Sequence, residues 1–146
     1  MNKPLIVPMN VAKRRLATLW FVGSGLAFAL VLVQSILGKY GEQTADAWSW
    51  LLPTIVPTLS LIVGVLVMDA LKKGVKTRSI SRFMVSLTMG LSIAYLSTVL
   101  LTLLLQPFAP IAPLALLKQS NLWLSPLQGL ATAALGAFFV KGEGGG

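Results

Sequence analysis

The chain has 146 residues and a formal charge of +8, with 55% hydrophobic and only 11% charged side chains, against roughly 25% charged in soluble domains. So little polar material cannot coat a water-soluble globule. The absence of Cys and His excludes disulfides, thiolate or imidazole metal sites and histidine general bases.

Four apolar runs remain: Leu16 to Leu37, Leu51 to Leu71, Phe83 to Leu105 and Leu122 to Val140. Each meets the length of ~20 residues that crosses a hydrocarbon core about 30 Å thick. They predict an all-α membrane protein, an antiparallel bundle of four transmembrane helices over residues 16–140, with a segment 1–15 before it and a glycine-rich tail 141–146 after it. Four spans and their connections leave no room for a folded soluble domain.

The first segment carries Lys3, Lys13, Arg14 and Arg15, and its stretch Met1 to Ala12 contains Pro4 and Pro8, which suits an arm on the membrane surface or without order. The run that follows is longer than the 7–15 residues of a signal peptide's apolar region. It leads into Gly38-Lys39-Tyr40-Gly41 and is therefore a permanent span. Its Gly23, Gly25, Ala27 and Ala29 form two overlapping i, i+4 pairs, a face for close helix packing. Gln34, near the end of the span, reads as interfacial.

The next connection holds only Lys39, offset by Glu42 and Asp46. Tyr40, Trp48 and Trp50 flank it, and with Trp123 they are expected at headgroup level. Trp20, Phe83, Phe138 and Phe139 fall toward the opposite ends.

The second span opens with Pro53 and Pro57, and the latter removes a helical bond and crowds the carbonyl of residue 53, predicting a bend or local unwinding. Pro53, Thr54, Pro57 and Thr58, together with Gln128 of the fourth span, make a candidate polar outer site. Asp69 is the only acidic residue inside a run, and Lys72 and Lys73 at i+3 and i+4 are its expected ion-pair partners.

The connection that follows is the most basic part of the chain, with Lys72, Lys73, Lys76, Arg78 and Arg82. Lys and Arg near span ends stay on the cytoplasmic side, so this loop and both termini are expected there, N-in and C-in. The same charges suit contact with anionic lipid or a cytoplasmic protein partner. Their positions argue for topology and against nucleic acid.

In the third span Ser86, Gly90, Ala94, Thr98 and Thr102 recur every fourth residue, with Thr88, Ser92, Tyr95 and Ser97 alongside. Such a stripe serves tight packing, or lines a wetted path when several copies face one axis. Beyond it come Pro107, Pro110 and Pro113, then Leu114 to Lys118 as a short interfacial helix. The fourth span begins near Leu122 and tolerates Pro126 in its opening turns. Gln128 is expected to bond another helix, and Gly129 and Ala133 offer a further small-residue pair.

The half from Leu16 to Leu71 and the half from Phe83 to Val140 share apolarity and a proline-bearing second member, Pro53 and Pro57 against Pro126, which does not establish a duplication. No nucleophile, paired-carboxylate, metal-ligand or phosphate-loop signature is present, so neither catalysis nor a cofactor is expected. The leading expectation is a homo-oligomeric channel or pore-forming component of a bacterial inner membrane, lined by the third-span stripe. The alternatives are a non-conducting anchor or assembly subunit and a small-solute transporter.

Overall fold

The computed structural model describes the backbone of residues 6–72 and 79–143 and the side chains of 8–72 and 80–139. Four long helices dominate it: α1 (Met9–Ile36), α2 (Thr44–Leu71), α3 (Arg82–Leu105) and α4 (Pro113–Glu143). Two three-residue strands, β1 (Ile6–Pro8) and β2 (Ser79–Ser81), pair antiparallel in front of α1 and α3. The chain is an all-α helical bundle apart from this ribbon, and all four helices are long and apolar enough to cross a membrane.

Local chemistry sets the boundaries. Pro8 has no amide hydrogen and an extended conformation, so α1 starts after it. At the other end Gly38 adopts φ 73°, and the Gly38 and Lys39 amides donate to Ser35 and Gln34 carbonyls at 3.1 and 3.0 Å. This is the Schellman closure, which needs a left-handed residue that glycine supplies without strain. Ser81 caps α3 by accepting from the Met84 amide at 3.3 Å. Single 3-10 turns, Gly41–Gln43 and Gln106–Phe108, lie between the members of each helix pair.

Several expectations are corrected here. α1 extends back to Met9, so the part of the arm from Ile6 to Ala12 is strand and helix rather than unordered; Met1 to Leu5 lie outside the described residues. α2 runs without interruption through Pro53 and Pro57, so no unwinding occurs there. Pro113 to Glu143 form one helix rather than an interfacial piece followed by a span from Leu122.

α1 packs against α2 and α3, and α4 packs against the same two, giving the cyclic order α1, α2, α4, α3. Chain neighbours run antiparallel. α1 and α3 run parallel, since Trp20 meets Ser92 partway along and Gln34 and Gln106 meet at the end of both helices. The antiparallel description therefore holds along the chain, while two of the four helix seams are parallel. We call the end carrying the strands the ribbon end and the opposite one the turn end.

The halves of the chain repeat. Trp50-Leu51-Leu52-Pro53 on α2 recurs as Trp123-Leu124-Ser125-Pro126 on α4, a step of 73 (123 − 50), and the central strand pair Val7↔Ile80 has the same step (80 − 7). Burial follows it: Leu51, Thr58, Ile62 and Val65 on α2 are matched by buried Leu124, Ala131, Leu135 and Phe138 on α4. On α1 and α3 buried Trp20, Ala27 and Val31 are matched by Ser92, Val99 and Leu103 one residue out of that step. Corresponding helices run parallel, and the strand register is centred on the corresponding pair Val7 and Ile80. The halves therefore share helix order, direction and the spacing of buried positions, a correspondence that Pro53, Pro57 and Pro126 alone did not show.

Candidate functional site

Polar side chains gather where the two halves meet. At mid-length Trp20 Nε1 donates to Ser92 Oγ at 3.0 Å, and its ring lies 5.8 Å from that of Tyr95. The Tyr95 hydroxyl in turn donates to the Thr54 carbonyl of α2 at 3.0 Å, joining α1, α3 and α2 in one buried network. Thr54 and Thr58 are buried with it. Ser24 and Thr88 place hydroxyls in the same core without a partner among the described residues. Tight apolar contact fills the space between these groups: a Cβ on Gly23 would stand 2.9 Å from Leu96 Cδ1.

A second network closes the turn end. The Tyr40 hydroxyl donates to Gln34 Oε1, with Gln106 Oε1 at 3.3 Å as a second acceptor, and Gln106 Nε2 reaches the Pro113 carbonyl at 3.2 Å. Gln34 and Gln106 end the two parallel helices, so Tyr40 ties the repeats together. Burial pushes the Tyr40 phenol above its ordinary pKa, against the hydrogen bond to Gln106, which pulls it down. Nearby, Trp48 Nε1 donates to Ser35 Oγ at 3.1 Å and Trp50 Nε1 to Ser120 Oγ at 3.0 Å.

These contacts add partners within the bundle to the aromatic residues. Tyr40, Trp50 and Trp20 are buried and bonded within the fold, and Phe138 and Phe139 pack edge to face in the core. Phe83 and Trp123 are exposed, and Trp48 is half-buried. Gln34, near the end of α1, is bonded within the fold.

The proposed lining stripe splits along its length. Ser86, Gly90 and Ala94 face outward from the bundle, Thr98 is half-buried and Thr102 is buried. Nothing stands within 4 Å of a Cβ built on Gly90. Thr98 and Thr102 return their hydroxyls to the Ala94 and Thr98 carbonyls at 2.7 and 2.8 Å. Within the single chain α3 instead packs through Thr88, Ser92, Tyr95, Leu96, Val99 and Leu103. On α1 the small-residue face divides likewise: Gly23 and Ala27 are buried, Gly25 and Ala29 exposed.

At the expected polar outer site Gln128 does bond another helix: its Nε2 lies 3.4 Å from the Pro53 carbonyl, the acceptor that Pro57 cannot serve. Thr54 Oγ1 bonds the Trp50 carbonyl at 2.6 Å. Pro53 and Pro57 themselves are exposed.

Charge at the ribbon end is arranged differently from the sequence expectation. Asp69 pairs with Lys13 of α1 at 2.7 Å rather than with Lys72, because the buried start of α1 lies against the end of α2. Lys72 and Arg82 are exposed, while Lys73, Lys76 and Arg78 lie outside the described residues. Arg14 borders a groove of about 400 Å³, lined also by Ala17, Thr18, Phe21, Val22 and Leu66. Another groove, about 460 Å³, opens between α3 and α4 near Thr98, Leu105, Phe108 and Trp123.

No known protein family, curated protein or solved structure matches the chain.

Proposed function

We propose that the protein is a multi-pass membrane protein with the ribbon end in the cytoplasm, assembled into homo-oligomers whose copies enclose a pore along the exposed part of α3. The observation that carries this reading is the outward placement of Ser86, Gly90 and Ala94, continued by half-buried Thr98. A ridge without bulk lets helices of separate copies approach closely, and its hydroxyl lowers the cost of wetting a path. The interior of one bundle is occupied by Trp20, Tyr95, Leu96 and Val99, so a route for ions runs between copies rather than through one.

Purified protein in liposomes provides the test. Wild type is expected to pass ions, and Gly90→Leu to lower the flux severalfold with the number of copies per particle unchanged. Wild-type vesicles that stay tight would reject the pore. They would favour the second reading, a non-conducting membrane anchor, for which the densely filled core and the exposed cations Arg14, Arg15, Lys72 and Arg82 are the supporting observations.

A further inference from the structure

The two cations that begin the α1 turn have unlike fates. Lys13 is buried and neutralised by Asp69 at 2.7 Å. Arg14, its neighbour, is exposed, forms no ion pair with another described residue, and stands at the mouth of the α1/α2 groove.

Below Arg14 the groove is apolar. Ala17, Phe21 and Val22 of α1 and Leu66 of α2 line it, and Thr18, one turn on from Arg14, adds one hydroxyl. From Arg14 to Val22 the helix rises about 12 Å at 1.5 Å per residue, inside the ~15 Å depth of one leaflet's hydrocarbon. Past Val22 the exposed Gly25, with nothing within 4 Å of a built Cβ, keeps the same face shallow. A cation above a chain-wide apolar trough matches a molecule with a negative head and a long apolar tail.

We propose that this groove is a binding site for one anionic phospholipid of the ribbon-end leaflet, its phosphate on Arg14 and Thr18 and one acyl chain against Phe21, Val22 and Leu66. The proposal rests on the membrane insertion argued above. Among the described side chains Asp69, three residues beyond Leu66, is the acidic group near the mouth, and its pairing with Lys13 offsets the repulsion it would otherwise exert on a phosphate. Exposed Arg15 and Lys72 add further positive charge. A second copy fits less well, because two-fold packing on this groove would set Arg14 and Arg15 against the same cations of its mate.

Native mass spectrometry of the full chain, released from bilayers holding equal phosphatidylglycerol and phosphatidylcholine of identical chains, decides it. Wild type is expected to retain the anionic lipid over the zwitterionic one by about five-fold, the ratio equivalent to ~1 kcal/mol for one arginine at an anionic surface. Arg14→Gln should bring that ratio near one, Arg14→Lys should keep most of it, and Arg15→Gln, outside the groove, should leave it within about two-fold. Val22→Trp, which fills the trough, should cut retention of both lipids.

Equal retention by wild type, or equal effects of the Arg14→Gln and Arg15→Gln changes, overturns the proposal while leaving the membrane reading intact. So does a change of copy number in Val22→Trp with lipid retention untouched, which would assign the groove to a second copy. Release of the wild-type chain from membranes by alkaline carbonate overturns both readings together.

Discussion

Among single residues, Gly23 marks a tight contact between α1 and α3, where the missing side chain makes room for Leu96. An alanine there would put its Cβ 2.9 Å from Leu96 Cδ1 in a core with Leu96 only 3% exposed, so the Leu96 side chain has to shift against its neighbours or the helices have to separate. Gly23→Ala should destabilise the fold by about 1–3 kcal/mol, the usual cost of overpacking. Gly25→Ala meets nothing within 4 Å and should cost nothing. Denaturation in detergent compares the two, and equal stability would contradict the packing described.

Tyr40 gives a residue-scale test in pH. Burial raises its folded pKa above that of the unfolded chain, so the neutral phenol stabilises the fold fully below the ordinary tyrosine value of about 10. That contribution disappears as pH rises through the raised folded value. The difference in phenolate absorbance between wild type and Tyr40→Phe should therefore have its midpoint above pH ~10, and a midpoint at or below it would contradict a buried hydroxyl. Nothing local announced this role. An aromatic residue at the end of an apolar run suits the headgroup level and the core equally well, and the partner Gln106 is 66 residues away.

At the scale of elements, the joint between the start of α1 and the end of α2 is the Lys13–Asp69 pair. Lys13 is 9% exposed in its side chain and Asp69 40%, so loss of the carboxylate strands the more buried charge. Asp69→Asn should cost about 1–3 kcal/mol, and Lys13→Met added to it should restore much of that, because the methionine keeps the packing without the charge. Additive losses in thermal denaturation would show that the two side chains do not act on each other. The sequence suggested a partner at i+3 or i+4 because helical spacing is visible in one dimension, whereas the contact across 56 residues exists only once α1 extends back past Leu16.

The existence of four helices was legible, since apolar length is a local property. Their ends were less so. α4 runs back to Pro113 because proline is tolerated at a helix start, and α2 keeps its form through Pro57 while Gln128 reaches toward the carbonyl that proline leaves over.

For the whole molecule, the organising feature is the correspondence between the two halves of the chain. Its trace in the sequence is short, Trp-Leu-x-Pro twice, because the positions that repeat are buried ones and burial tolerates exchange among Leu, Ile, Ala, Thr and Phe. The pairing of β1 with β2 was invisible, since three-residue strands carry no periodicity. The ribbon nonetheless has a topological consequence: it brings the residues before α1 and those before α3 to one end of the bundle, the end where the basic residues collect. Of the stripe on α3, the four-residue spacing could be read directly, but its division into an outward part and a buried part depends on where α1 and α4 lie.

In the proposed topology the ribbon end and the turn end face opposite sides of a bilayer, with the ribbon end inside. The chain has no native cysteine, so single replacements report their own location. Asn10→Cys at the ribbon end and Glu42→Cys and Pro110→Cys at the turn end replace exposed residues. An impermeant thiol reagent added to intact cells should label the cysteines at 42 and 110 and reach that at 10 only after the membrane is opened. Labelling of all three from one side, or recovery of the protein in the soluble fraction without detergent, would contradict the account.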